Sequence, residues 1–188
     1  MYKSLKPSHS SALCAAFLAT FLSACHASPQ SEKVTTTAES AVKVAATEIV
    51  VDSGPDLEFR GTISGDPLDF KDGKGDDTPA VKQFKKTGKN PYNNDEAVIK
   101  NGYTIFSTAC SGCHGHLAEG KLGPALHDDY WTYPGNQFDK GFFETIYGGG
   151  QGMMGPQKGL ISQDEILQVM SWIRSIYDGD PKKAKWKK

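Results

Sequence analysis

The chain has 188 residues, 38% of them hydrophobic, and balances 21 Lys and Arg against 22 Asp and Glu for a formal net charge of −1. That near-neutral balance excludes a polybasic nucleic-acid binder, and the length suits one domain with an extension. No stretch is both apolar enough and long enough to cross a bilayer as a helix.

Lys3 and Lys6 precede an apolar run from Ala12 to Leu22 that has the form of an export-signal core. It ends in Leu22-Ser23-Ala24-Cys25, which resembles the lipobox of bacterial lipoproteins. That resemblance implies a signal over residues 1–24 and Cys25 as the acylated first residue of a mature chain of about 160 residues. Ordinary cleavage after Ala27 is the alternative, and either route exports the chain, placing it in the periplasm. Acyl chains at Cys25 would hold it to a membrane surface at about 0.8 kcal/mol per buried methylene. Residues 25–54, rich in Ser, Thr, Ala, Val and Glu, read as a flexible tether. Residues 55–90 form an extension of low regularity. Leu57-Glu58-Phe59 and Leu68-Asp69-Phe70 alternate around Gly61, Gly65 and Pro67, a pattern for a short hairpin. Thr78-Pro79 then opens a short helix that Gly88 stops.

Residues 91–180 carry the chemistry. Asn94 or Asp95 caps a helix with Val98, Ile105 and Phe106 among its apolar positions, and Gly102 and Phe106 on one face. It leads into Cys110-Ser111-Gly112-Cys113-His114, the attachment pattern of a c-type haem. Two thiols on one helical turn can both form thioethers to a porphyrin's vinyl groups, which aims the adjacent imidazole at the iron. A thioredoxin-like dithiol is a rival reading, but it wants a βαβ setting. A zinc site drawing on Cys110, Cys113, His114 and His116 is another. With Cys14 in the signal and Cys25 acylated or removed, no thiol is left for a disulfide.

The second axial ligand must come from a loop on the far side of the ring. Gly148-Gly149-Gly150-Gln151-Gly152-Met153-Met154-Gly155-Pro156 offers two thioethers, and Met154, beside Gly-Pro, is preferred to Met153. His116 and His127 are lesser candidates. Ser162-Gln163-Asp164-Glu165 is a capping box opening a helix with Ile166, Val169, Met170, Ile173 and Tyr177 on one stripe.

Two such helices at either end of about 90 residues, the first ending in Cys-x-x-Cys-His, resemble the class I cytochrome c fold, an all-α fold around one covalent haem. In that fold the end helices cross at a small and an aromatic residue, here Gly102 and Trp172, and Pro124 of Leu122-Gly123-Pro124 offers its carbonyl to the haem-ligating imidazole. The run from Cys110 to Pro124 is similar to the cytochrome c-L family, as are Asp128-Asp129-Tyr130-Trp131-Thr132-Tyr133-Pro134, Ile146-Tyr147-Gly148-Gly149, Met154-Gly155-Pro156 and Trp172-Ile173-Arg174. The family implies His114 and Met154 as axial ligands and no enzymatic activity. It also implies electrons accepted singly from a methanol dehydrogenase that carries pyrroloquinoline quinone (PQQ), then passed to a smaller cytochrome c and an oxidase. A calcium ion near the haem belongs to some members. Another quinoprotein dehydrogenase as partner, or a small haem enzyme, is the alternative.

Charge is unevenly spread. Residues 91–180 hold five cationic side chains against eleven carboxylates, a balance of −6, while six lysines lie between Lys71 and Lys89 and five in the basic tail, 181–188. An acidic haem face would steer towards a basic patch on a partner, in a salt-sensitive way.

Overall fold

A computed structural model describes residues 54–188; the export signal, Cys25 and the tether up to residue 53 lie outside the described residues. Five α-helices follow one another: α1 (Pro79–Thr87), α2 (Glu96–Ala109), α3 (Ser111–His114), α4 (Asp139–Gly148) and α5 (Gln163–Ser175). Short 3-10 turns cover Pro134–Gln137, Pro181–Lys183 and Lys185–Lys187. No strand forms among the described residues, as the all-α expectation requires.

Local chemistry explains where the helices start. Thr78 Oγ1 accepts the N–H of Val81 at 3.2 Å ahead of Pro79, and Gly88, at φ 68°, ends α1 by donating its N–H to the Phe84 carbonyl. Of the two candidate caps for α2, Asp95 is the one used: its Oδ1 accepts from the N–H groups of Ala97 and Val98. Ser162 and Glu165 complete the expected capping box on α5, with bonds of 3.1 and 2.7 Å. Asp164, inside that first turn, accepts from Thr78 at 2.5 Å and from the Tyr92 hydroxyl at 2.8 Å, tying the starts of α1 and α5 together.

Helices α2 and α5 cross at Gly102. A Cβ there would sit against the carbonyl of Gln168, 2.7 Å from its carbon, and 3.2 Å from Cβ of Trp172. Without that methyl the axes come close enough for Phe106 and Trp172 to pack at 4.4 Å between ring centroids. The α5 stripe is buried through Ile166, Val169, Met170 and Ile173, each contributing about 1.5–3 kcal/mol of hydrophobic stabilisation. Tyr177 falls beyond the helix end and is half-buried.

The expected hairpin reduces to one isolated bridge, Arg60 with Pro67, closed by bonds from Leu68 N–H to the Phe59 carbonyl and from Gly61 N–H to the Asp66 carbonyl. Pro67 has no N–H to donate to a ladder. Phe59 is instead an anchor: its ring lies 5.4, 5.5 and 5.9 Å from Phe70, Phe84 and Phe143. At the other end Ala184 and Trp186 are buried. The Trp186 ring covers the Arg174 guanidinium at 3.9 Å, and Trp131 and Phe142 flank the same cation at 5.0 and 4.7 Å.

Candidate haem site

The site is built where α2 runs into α3. Cys110 ends α2 through its N–H to the Phe106 carbonyl, and its own carbonyl then accepts from both Cys113 and His114, which winds α3 as one further turn. That turn presents Cys110, Cys113 and His114 in succession: Cys110 half-buried, Cys113 exposed, His114 buried.

The segment after the motif folds back over it. Gly120 donates to the His114 carbonyl at 2.7 Å, and Leu122 and Gly123 both donate to that of Cys113. This brings Pro124 to the ring, where its carbonyl lies 2.9 Å from His114 Nδ1. Nδ1–H donates there, so Nε2 is the nitrogen left for a metal, and it has no hydrogen-bond partner among the described residues. Gly123 makes the approach possible: a Cβ at this position would fall 2.6 Å from His114 Cε1.

The glycine-rich loop after α4 separates the two methionines. Met153 is 81% exposed, whereas Met154 is partly buried and packs on the same core cluster as Cys110 and Leu126. The loop is folded by Gly150 N–H on the Met154 carbonyl at 2.9 Å, and Tyr133 Oη accepts the Gln151 N–H at 2.6 Å. Tyr133 of the Trp-Thr-Tyr-Pro block thus pins the methionine loop, a role not legible from the sequence pattern. Tyr133 and Met154 Sδ also flank Gly150 together, each within 3.5 Å of where a Cβ would stand.

The other histidines stand apart. His116 is exposed, and His127 Nδ1 pairs with Asp178 at 2.9 Å. Among the described residues no three His, Cys, Asp or Glu side chains gather as a metal site. The zinc reading of Cys110, Cys113, His114 and His116 therefore gains no support, and no ligand set emerges for a calcium ion. Burial, followed by the neighbouring Cys113, pushes the Cys110 thiol up to about 11, the opposite of the low pKa a redox-active dithiol needs. What the turn does fit is a covalently attached haem: two thiols and an imidazole in sequence, with the imidazole already oriented from behind.

One cluster was not foreseen. Arg174 Nε binds Asp139 Oδ1 at 3.2 Å and its Nη2 binds the Asn136 carbonyl at 2.8 Å, all three residues being buried. Asp139 also accepts from Asn90 N–H and Asn93 Nδ2. Burial holds the guanidinium below its ordinary pKa, at about 10, and Asp139 opposes that shift. The signal available was α4 itself, whose Phe142, Phe143, Ile146 and Tyr147 follow helical spacing.

Comparison with known proteins agrees with this geometry. A family model described as cytochrome c oxidase, cbb3-type, subunit III, matches residues 97–173. Cytochrome c-551 of Bacillus subtilis is 32% identical over 78 residues, covering 42% of this chain and 63% of its own. The crystal structure of cytochrome c-L from the marine methylotroph Methylophaga aminisulfidivorans superposes with a TM-score of 0.68 at 60% identity, over 69% of this chain and 87% of that one. That from Hyphomicrobium denitrificans gives 0.67 at 47% identity, over 70% and 80%. Cytochrome c-L of Methylorubrum extorquens is 54% identical over 138 residues, 71% of this chain and 70% of its own. A likeness of that extent in both sequence and structure places the chain in the cytochrome c-L family, mono-haem c-type cytochromes that carry electrons and are not enzymes.

Proposed function

We propose that this chain is a periplasmic cytochrome that takes single electrons from a PQQ-dependent methanol dehydrogenase and hands them to a downstream cytochrome c. The observation that carries the reading is the turn from Cys110 to His114, backed by the Pro124 carbonyl. Cys110 and Cys113 would hold the haem through thioethers, and His114 Nε2 and the Met154 thioether would ligate its iron. When bound, the haem would supply a one-electron couple, which ligation by imidazole and thioether would set at high potential. The protein's part is to hold the ring nitrogen with Pro124, to keep Met154 in place through the Tyr133-pinned loop, and to shield both ligands from water. Cys25 is the acylation site, so the membrane is reached through a lipid anchor rather than a span; among the described residues no helix is long and apolar enough to cross one. The names of the relatives, and the methylotrophic source of one of them, support methanol dehydrogenase as the donor.

The excess of carboxylates over residues 91–180 makes docking electrostatic. Stopped-flow mixing of the holoprotein with reduced methanol dehydrogenase tests both points. Rapid reduction that slows as salt rises from low to physiological strength is expected. No reduction removes the dehydrogenase assignment, and a rate indifferent to salt removes acidic docking.

A further inference from the structure

Two lysine-rich stretches nearly a hundred residues apart in sequence meet in the fold. A cleft of about 210 Å³ is lined by Gly88 and Lys89 after α1, Phe138 and Asp139 at the start of α4, and Lys185, Trp186 and Lys188 of the C-terminal segment. Lys89, Lys185 and Lys188 have no carboxylate partner among the described residues, although six other lysines do. The acidic side chain in the lining, Asp139, is spent on Arg174, Asn90 and Asn93. Beside these ammonium groups Phe138 stands 55% exposed, an aromatic side chain with nothing over it. Trp186, seated on Arg174, fixes the C-terminal segment in place, so its lysines are presented together.

The chain enters the folded unit close by. Leu57 donates its N–H to the Lys85 carbonyl, and its side chain reaches to 3.2 Å from where a Cβ on Gly88 would lie. Lys86 binds the Gly54 carbonyl and pairs with Asp56 at 3.2 Å. The first described residues, from Gly54 to Leu57, therefore lie beside the helix that ends at the basic cleft.

We infer that this surface faces a membrane, with Lys89, Lys185 and Lys188 against anionic phospholipid headgroups and Phe138 at their interface. Clustered lysines gain from a negatively charged leaflet, and an aromatic ring suits the boundary layer. An acyl chain and a basic patch are also the two signals that together hold a protein stably at a bilayer. The inference stands whichever dehydrogenase supplies the electrons.

Sedimentation of the full-length holoprotein with vesicles tests it, comparing phosphatidylcholine alone with phosphatidylcholine containing 30% phosphatidylglycerol. Any acyl chain contributes equally to both, so the difference isolates the lysines. Partitioning should be tighter with phosphatidylglycerol, and the preference should vanish at high salt. Replacing Lys89, Lys185 and Lys188 by Gln should cost about fivefold per lysine, roughly a hundredfold together, with the haem spectrum and circular dichroism unchanged. Phe138→Ser should weaken binding to both compositions. Equal wild-type partitioning onto the two vesicles overturns the inference, as does a triple variant that keeps the preference. So does a triple variant whose vesicle preference is intact while electron transfer to an oxidising cytochrome is slowed, because the cleft would then dock protein.

Discussion

Gly102→Ala adds one methyl group at the tightest point of the fold. In an isolated helix the change gains about 1 kcal/mol from the lower backbone entropy cost of Ala. Here the new carbon lands on the Gln168 carbonyl, 2.7 Å from its carbon, with Trp172 Cβ at 3.2 Å. Ordinary carbon contacts lie at about 3.5–4.0 Å, so α2 and α5 must part by roughly an ångström, and a gap of that size forfeits a quarter to a half of each dispersion contact across it. The contacts at stake include Phe106 and Tyr103 on Trp172, at 4.4 and 5.1 Å. Overpacking and the lost contacts outweigh the propensity gain, leaving a net cost of about 3 kcal/mol. Thermal unfolding of the holoprotein, followed by circular dichroism, should show a midpoint lower by on the order of 10 °C. Gly159→Ala, where a Cβ meets nothing within 4 Å, is the control and should leave the midpoint nearly unmoved. A Gly102→Ala protein as stable as wild type would refute the crossing argument.

Three further outcomes are expected. Met154→Ala should lower the potential by a large part of the roughly 0.8 V range that axial ligands span, and remove the thioether band of the oxidised spectrum, whereas Met153→Ala should change neither; spectroelectrochemistry checks both. Arg174→Met leaves Asp139 charged and buried without its ion partner and should cost about 3–5 kcal/mol in denaturant unfolding, while a loss below about 1 kcal/mol would mean that the pair is dispensable. Tyr92 is held up at about 12 by burial, then by its bond to Asp164, and burial likewise puts Tyr147 at about 12. A raised folded-state pKa gives stability that is fully present below the unfolded value near 10 and lost as pH rises through 12. Alkaline titration should therefore unfold wild type over that window, and Tyr92→Phe should be less sensitive there despite losing about 1 kcal/mol at neutral pH.

The parts of the fold legible in the sequence are those set by local chemistry. Thr78, Asp95 and Ser162 cap helices because their side-chain oxygens reach N–H groups two or three residues on, and α2 and α5 follow from residues spaced three and four apart. The turn from Cys110 to His114 is likewise local. What escaped the sequence depends on distant partners. Nothing near Tyr133 indicates that its hydroxyl meets Gln151, and nothing near Arg174 indicates that Asp139 and Trp186 enclose it. Phe59 and Phe70 suggested a hairpin by alternation, whereas the fold uses both rings as core. The lysines of 181–188 read as a basic tail because charge dominates their composition, and the tryptophan among them, buried against Arg174, fastens the segment.

The cluster of Phe59, Phe70, Phe84, Phe143 and Tyr147 joins the stretch ahead of the haem-binding turn to α4. Excising the segment from 91 onward would strip rings from Phe143 and Tyr147 and turn a dry interior outward. Whatever cytochrome c function this protein performs, its smallest autonomous version begins well upstream of Cys110, and amide-exchange protection should rise and fall in both stretches as a single cooperative block.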